Sequence, residues 1–71
     1  MKQTVFKRKF DLAQKRGNYV SVSGEDYTFR CDHFQIPYEM VTASESAAFA
    51  DLFWSNNWVG RVRLSSVEKV E

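Results

Sequence analysis

Between Tyr38 and Leu64 an alternating apolar segment runs straight into a serine-led, alanine-rich stretch and then into a second alternating segment, and this order restricts the fold more than anything else in the chain. Tyr38, Met40 and Thr42 alternate with Glu39, Val41 and Ala43, the period of two that sends successive side chains to opposite faces of a strand. Ser44 suits an N-cap, because its hydroxyl can accept from an unpaired amide of a first helical turn, and Glu45 sets negative charge near the positive end of a helix dipole. Ala47, Ala48 and Ala50 have the highest helix propensity of any residue type. Ala48, Phe49, Leu52 and Phe53 then share one helical face, flanked by Trp54, which predicts a helix from the Ser44 cap to Trp54. Asn56 and Asn57 suit an exit turn, since asparagine tolerates left-handed backbone angles. Alternation resumes with Trp58, Gly60, Val62 and Leu64 set against Val59, Arg61 and Arg63.

Ahead of this unit the pattern predicts strands. From Thr4 to Leu12, Phe6, Phe10 and Leu12 share one parity that Arg8 breaks, and Val5, Lys7, Lys9 and Asp11 fill the other. Lys15-Arg16-Gly17-Asn18 is a turn signal, Tyr19 to Ser23 a strand, Gly24-Glu25-Asp26 a second turn, and Tyr27 to Cys31 the returning strand. Pro37 has no amide to donate, so the segment from Phe34 to Thr42 is interrupted there or lies at a sheet edge. The expected architecture is α+β: an antiparallel β-sheet of four or five strands with one α-helix packed on one face, in the order β-β-β-(β)-α-β. Residues 1–71 form one domain in this reading, with a frayed polar tail from 66 to 71.

A chain of 71 residues supports a core of only ~3–5 kcal/mol net unless something staples it. Its single cysteine, Cys31, excludes an internal disulfide and points to a reducing, cytoplasmic setting. Six Phe, three Tyr and two Trp compensate, because each aromatic ring buries a large area. No apolar run is long enough to span a membrane, and Met1-Lys2 leads into no signal-like apolar region, so no membrane partner is expected.

Chemistry-bearing constellations are sparse. Cys31, Asp32 and His33 are adjacent, and in a strand Cys31 and His33 share a face, yet no orienting group or oxyanion site accompanies them and they supply at most half of a zinc site. Gly17, Gly24 and Gly60 are isolated, which excludes a glycine-rich phosphate loop. The expectation is a non-enzyme with no metal and no cofactor.

Charge is unevenly spread. Residues 1–16 carry Lys2, Lys7, Arg8, Lys9, Lys15 and Arg16 against Asp11 alone, whereas residues 17–57 carry Glu25, Asp26, Asp32, Glu39, Glu45 and Asp51 against Arg30 alone. If the first strand lay beside the last, Lys7 and Lys9 would join Arg61 and Arg63 in a basic strip suited to phosphates. The plainer reading of the same residues is the wet face of two strands. Trp54, Trp58, Arg61 and Arg63 are close in sequence, and tryptophan and arginine dominate protein interfaces more than other residues do. Tyr19 and Tyr38 are weaker candidates of the same kind.

The run from Tyr38 through Phe53, followed by Trp58-Val-Gly-Arg-Val-Arg-Leu, resembles the strand-helix-strand unit of small phage-encoded α+β proteins, some anti-CRISPR proteins among them. The resemblance covers about 27 residues and is one of element order and capping, so it carries over no functional residue. It implies a stoichiometric inhibitor that occludes a surface on a larger host nucleoprotein complex through charge complementarity and a few aromatic anchors.

The sequence therefore predicts a non-catalytic protein-binding or inhibitor module that engages its partner through Trp54, Trp58, Arg61, Arg63, Glu25, Asp26, Asp32 and Glu39. Nucleic-acid binding through Lys7, Lys9, Arg61 and Arg63 is the second reading. A homodimer that covers an open sheet edge or spare tryptophans is compatible with either.

Overall fold

Gln3–Gln14 form the single α-helix, α1, where a strand was expected. Phe6, Phe10 and Ala13 recur at intervals of four and three, a helical stripe, and all three are buried, while Leu12, which completed the strand-like parity, is exposed. Arg8, the residue that broke the alternation, lies on the solvent side of the same helix. The computed structural model describes residues 1–71, and the element order after α1 is β1 (Val20–Ser23), β2 (Thr28–Cys31), β3 (His33–Gln35), β4 (Phe49–Trp54), β5 (Asn57–Arg63) and β6 (Lys69–Val70).

The α+β class is present, but the strands form two three-stranded antiparallel sheets instead of one sheet of four or five. One has the order β2-β1-β6 and the other β3-β4-β5. They meet where β2 runs into β3 with only Asp32 between them, and the Asp32 amide donates to the Phe53 carbonyl at 2.9 Å, carrying the strand path from one sheet to the other. A meander that bends this sharply at one residue folds its two halves over a shared interior.

That interior is one cluster of 12 buried apolar residues drawn from α1, both sheets and the connections. Phe6 and Phe10 are fully or almost fully buried and pack against Phe34 of β3, with ring centroids 5.0 and 4.7 Å apart from it. Burying each of these phenyl groups contributes about 1.5–3 kcal/mol, which makes α1 the lid on which the core depends. The helix that covers the sheets is thus the N-terminal one.

The segment expected to be helical behaves differently. Ser44 begins a single turn, its carbonyl accepting from the amides of Ala47 and Ala48 at 3.0 and 2.9 Å, and the chain then extends. Ala48, Ala50 and Leu52 are fully buried while Phe49, Asp51 and Phe53 face partly outward, so the buried pattern has period two and β4 is a central strand between β3 and β5. Tertiary packing overrides alanine's helix propensity here, because small side chains let the strand approach the aromatic core closely. Tyr38–Met40 form a short 3-10 turn, entered at Pro37, where a strand was expected. Gln3 secures it to α1 through a 2.7 Å hydrogen bond from Nε2 to the Met40 carbonyl.

The tail from 66 to 71 is held in place, contrary to the frayed expectation. Val67 is buried, Lys69 and Val70 pair with Ser23 and Val22, and the Glu71 amide donates to the Ser21 carbonyl at 2.9 Å. The alternation read for β1, β2 and β5 matches strands in the structure.

Candidate functional site

The outward face of the β3-β4-β5 sheet carries side chains in register. His33 lies opposite Phe53, which lies opposite Trp58; the next row is Gln35, Asp51 and Arg61; the next pairs Phe49 with Arg63. His33, Trp58, Arg61 and Arg63 are exposed, Trp58 by 61%. A face built of rings and cations on a paired sheet is held by the backbone ladder, so its side chains start from fixed positions.

Asp51 organises this face. Its Oδ1 accepts from Arg61 Nε at 2.9 Å and from Trp58 Nε1 at 3.1 Å, and its Oδ2 accepts from Arg61 Nη2 at 3.3 Å. The guanidinium also lies over the Phe49 ring, 3.9 Å from its centroid, a cation–π arrangement. The hydrogen bond from Arg61, with Trp58 adding to it, holds the Asp51 carboxyl below its usual range. Glu39, in the 3-10 turn, lends further support to the Arg61 charge. Arg63 is turned aside and donates through Nη1 to the Ser46 carbonyl at 2.9 Å.

Beside this face, where the β4-β5 hairpin extends past the core, lies an open groove of about 750 Å³ lined by Asn18, Tyr19, Phe29, Arg30, Trp54 and Val59, with Thr28 at its edge. Trp54 has the inward parity of Ala50 and Leu52, but the core has ended by this point, so it is 39% exposed and meets the Tyr19 ring edge-on at 6.2 Å. Val59 is the extra residue where the β4-β5 register shifts. Arg30 lies over the Tyr19 ring at 4.9 Å and is the only charged group lining the groove. Phe29 forms the floor, its ring so close to Gly60 that a Cβ there would come within 2.9 Å of it.

The structure thus sets Trp58 and Arg61 with Phe49 and Phe53 on the outward β4-β5 face and Trp54 with Tyr19, Phe29 and Arg30 in the groove beside it; sequence reasoning weighted Tyr19 low, left the phenylalanines in the core and counted Arg30 only as a charge. Their signal was the alternation of Phe49, Asp51 and Phe53 with Ala50 and Leu52, which the helical reading obscured. The predicted acidic residues separate. Glu25 and Asp26 sit in the β1-β2 turn, at the opposite end of that hairpin from Tyr19 and Arg30. Asp32 is engaged at the bend, where its Oδ2 accepts from the Ser55 amide at 3.1 Å, and Glu39 stands near Arg61. The basic strip is not assembled by strand pairing, because Lys7 and Lys9 lie on α1 and the strand beside β5 is β4.

Cys31 and His33 do not share a face. The bend at Asp32 leaves Cys31 fully buried, its Sγ–H directed to the Val20 carbonyl at 3.6 Å, and His33 exposed outside beside Phe53. Burial pushes the Cys31 thiol up to about 12, which suppresses the thiolate that nucleophilic chemistry needs. No helix of the chain is long and apolar enough to cross a membrane. Comparison with protein-family models, with curated proteins and with solved structures gives no match in any of the three.

Proposed function

We propose that this chain is a non-catalytic module that binds a protein partner through the outward β4-β5 face and the groove beside it. The observation that carries this reading is the pre-positioning of Trp58 and Arg61 by Asp51: two side chains of the types that dominate interface energetics are already fixed, so little rotamer freedom remains to be lost on binding. Exposed Tyr19, Trp54 and Val59 add apolar surface in the groove beside that face. The Asp51 carboxylate in the centre of the face neutralises Arg61, which favours a protein surface over a phosphate backbone. The inhibitor form of the reading, occlusion of a surface on a larger complex, belongs to the same proposal but no longer draws on element order, since residues 38–54 do not form a strand followed by a helix.

Capture from cell extract with the tagged chain, identification of the retained protein by mass spectrometry, and titration of that protein in purified form test this reading. Trp58→Ala is expected to weaken the measured affinity at least tenfold, since interface anchors of this type cost about 2 kcal/mol or more on truncation. An identified partner bound equally well by Trp54→Ala, Trp58→Ala and Arg61→Ala would refute the choice of surface. For the nucleic-acid alternative, gel-shift titrations with single-stranded and duplex DNA and RNA across salt are expected to show no shift; steeply salt-dependent retention that Arg63→Ala weakens would replace the protein reading.

A further inference from the structure

The β2 strand has one edge that nothing in the chain pairs. In the sheet order β2-β1-β6, β2 is terminal. The Ser21 and Ser23 carbonyls accept from the Glu71 and Glu68 amides on the β6 side, so Val20 and Val22 direct their main-chain groups toward β2, where they lie opposite Cys31 and Phe29. Main-chain groups alternate in direction along a strand, so those of Thr28 and Arg30 point away from β1. Asp32 shares their parity, and its amide is taken by Phe53. Apart from that bond no strand of the chain pairs with the outward edge of β2, although the Phe29 ring rests against Gly60 of β5, so the outward main-chain groups of Thr28 and Arg30 have no ladder partner. Both residues line the groove closed by Trp54 and Val59 on the other side and floored by Phe29.

Resting on the protein-binding reading above, we propose that the groove receives an extended segment of the partner as an added strand on β2, paired with the main chain of Thr28 and Arg30, with an apolar side chain between Trp54 and Val59 and an aspartate or glutamate facing Arg30. Thr28 and Arg30 are two residues apart, about 6.7 Å along the strand, the spacing at which an antiparallel neighbour offers its own outward N–H and C=O groups. Main-chain pairing supplies affinity that is independent of side chains, and alternate side chains of the segment supply selectivity. The chemistry of the groove states that selectivity: rings and an aliphatic side chain along one wall, and one cation, Arg30, whose guanidinium is seated on Tyr19 and has no carboxylate partner among the ion pairs of the chain.

Selection of displayed random octapeptides against the intact chain tests this proposal. The selected peptides are expected to combine an apolar residue with an acidic one, and their binding to slow hydrogen exchange at the Thr28 and Arg30 amides. N-methylation of a selected peptide at alternate amides is expected to weaken binding about tenfold in one parity and less than twofold in the other, because only one set faces β2. Arg30→Glu is expected to reverse the preference from acidic to basic peptides. Tolerance of N-methylation at every amide, protection of other amides only, or a selection that yields no binder would overturn the added strand. A partner lost on Trp58→Ala but indifferent to Arg30→Glu would leave the protein-binding reading intact and remove this one. Concentration-dependent doubling of the mass with protection of the same two amides would assign the edge to a second copy of the chain instead.

Discussion

Asp51 faces Arg61 directly across the β4-β5 ladder, and one of its oxygens accepts from both Arg61 Nε and Trp58 Nε1. The Asp51 side chain retains only 14% exposure, so both donors are held by an acceptor that water reaches poorly. Replacing it by alanine removes the acceptor from both groups at once. Asp51→Ala is expected to lower stability by about 1 kcal/mol, reduced from the buried value because Arg61 remains hydrated. Urea denaturation followed by tryptophan fluorescence measures this, and the native emission should also shift as the Trp58 indole loses its partner.

The same carboxyl predicts an acid limb. Arg61 first, and Trp58 after it, lower the folded pKa of Asp51 beneath its ordinary 3.8, so the folded chain binds the proton less readily than the unfolded chain does. Stability from this group is therefore complete above about pH 4 and is lost as pH falls through the depressed folded value. Denaturant midpoints collected from pH 7 to pH 2 should decline less steeply below pH 4 in Asp51→Asn than in the parent chain.

Ser55 and Asn56 connect β4 to β5 with φ of 50° and 69°, the two-residue hairpin turn in which both central residues are left-handed. Asparagine accepts that region and serine does so less readily. The double change Ser55→Asn with Asn56→Gly is expected to stabilise the chain by about 0.5–1 kcal/mol, since it installs the preferred turn pair. Thermal unfolding should register this as a rise of roughly 2–8 °C for a domain of this size.

Gly60 allows Phe29 to rest against β5, with 2.9 Å between that ring and the position a Cβ would take. Gly60→Ala is expected to cost about 1–3 kcal/mol through forced displacement of the ring, and Phe29→Leu in the same chain should recover part of the loss. Gly17 has nothing within 4 Å of its would-be Cβ and no positive φ, so Gly17→Ala provides a control expected to be neutral or slightly stabilising. Chemical denaturation of the four chains checks the contrast.

Local pattern determined a good part of this protein. Two-fold alternation with turn residues between defined β1, β2 and β5, and Pro37 marked where an extended segment is either interrupted or lies at an edge; the structure has the interruption, with β3 ending at Gln35 and a 3-10 turn entered at Pro37. Two segments were ambiguous because their apolar residues satisfy both periods. Phe6 and Phe10 are four apart, which fits one face of a strand and one face of a helix equally, and only the burial of Ala13 with exposure of Leu12 selects the helix. Ala48, Ala50 and Leu52 favour a helix by propensity, yet the space under α1 and beside Phe34 accommodates a closely approaching strand, and burial there outweighs a propensity of at most ~1 kcal/mol per residue. The site depended on the same decision. With β4 extended, Asp51 meets Arg61 and Trp58 across a ladder; as a helix it would have met neither. Likewise the unpaired edge of β2 exists because the chain bends at Asp32 and β4 pairs with β3 and β5 instead of continuing the ladder along β2. Such pairings join residues far apart in the chain, so they follow from the packed whole and from no stretch of sequence taken alone.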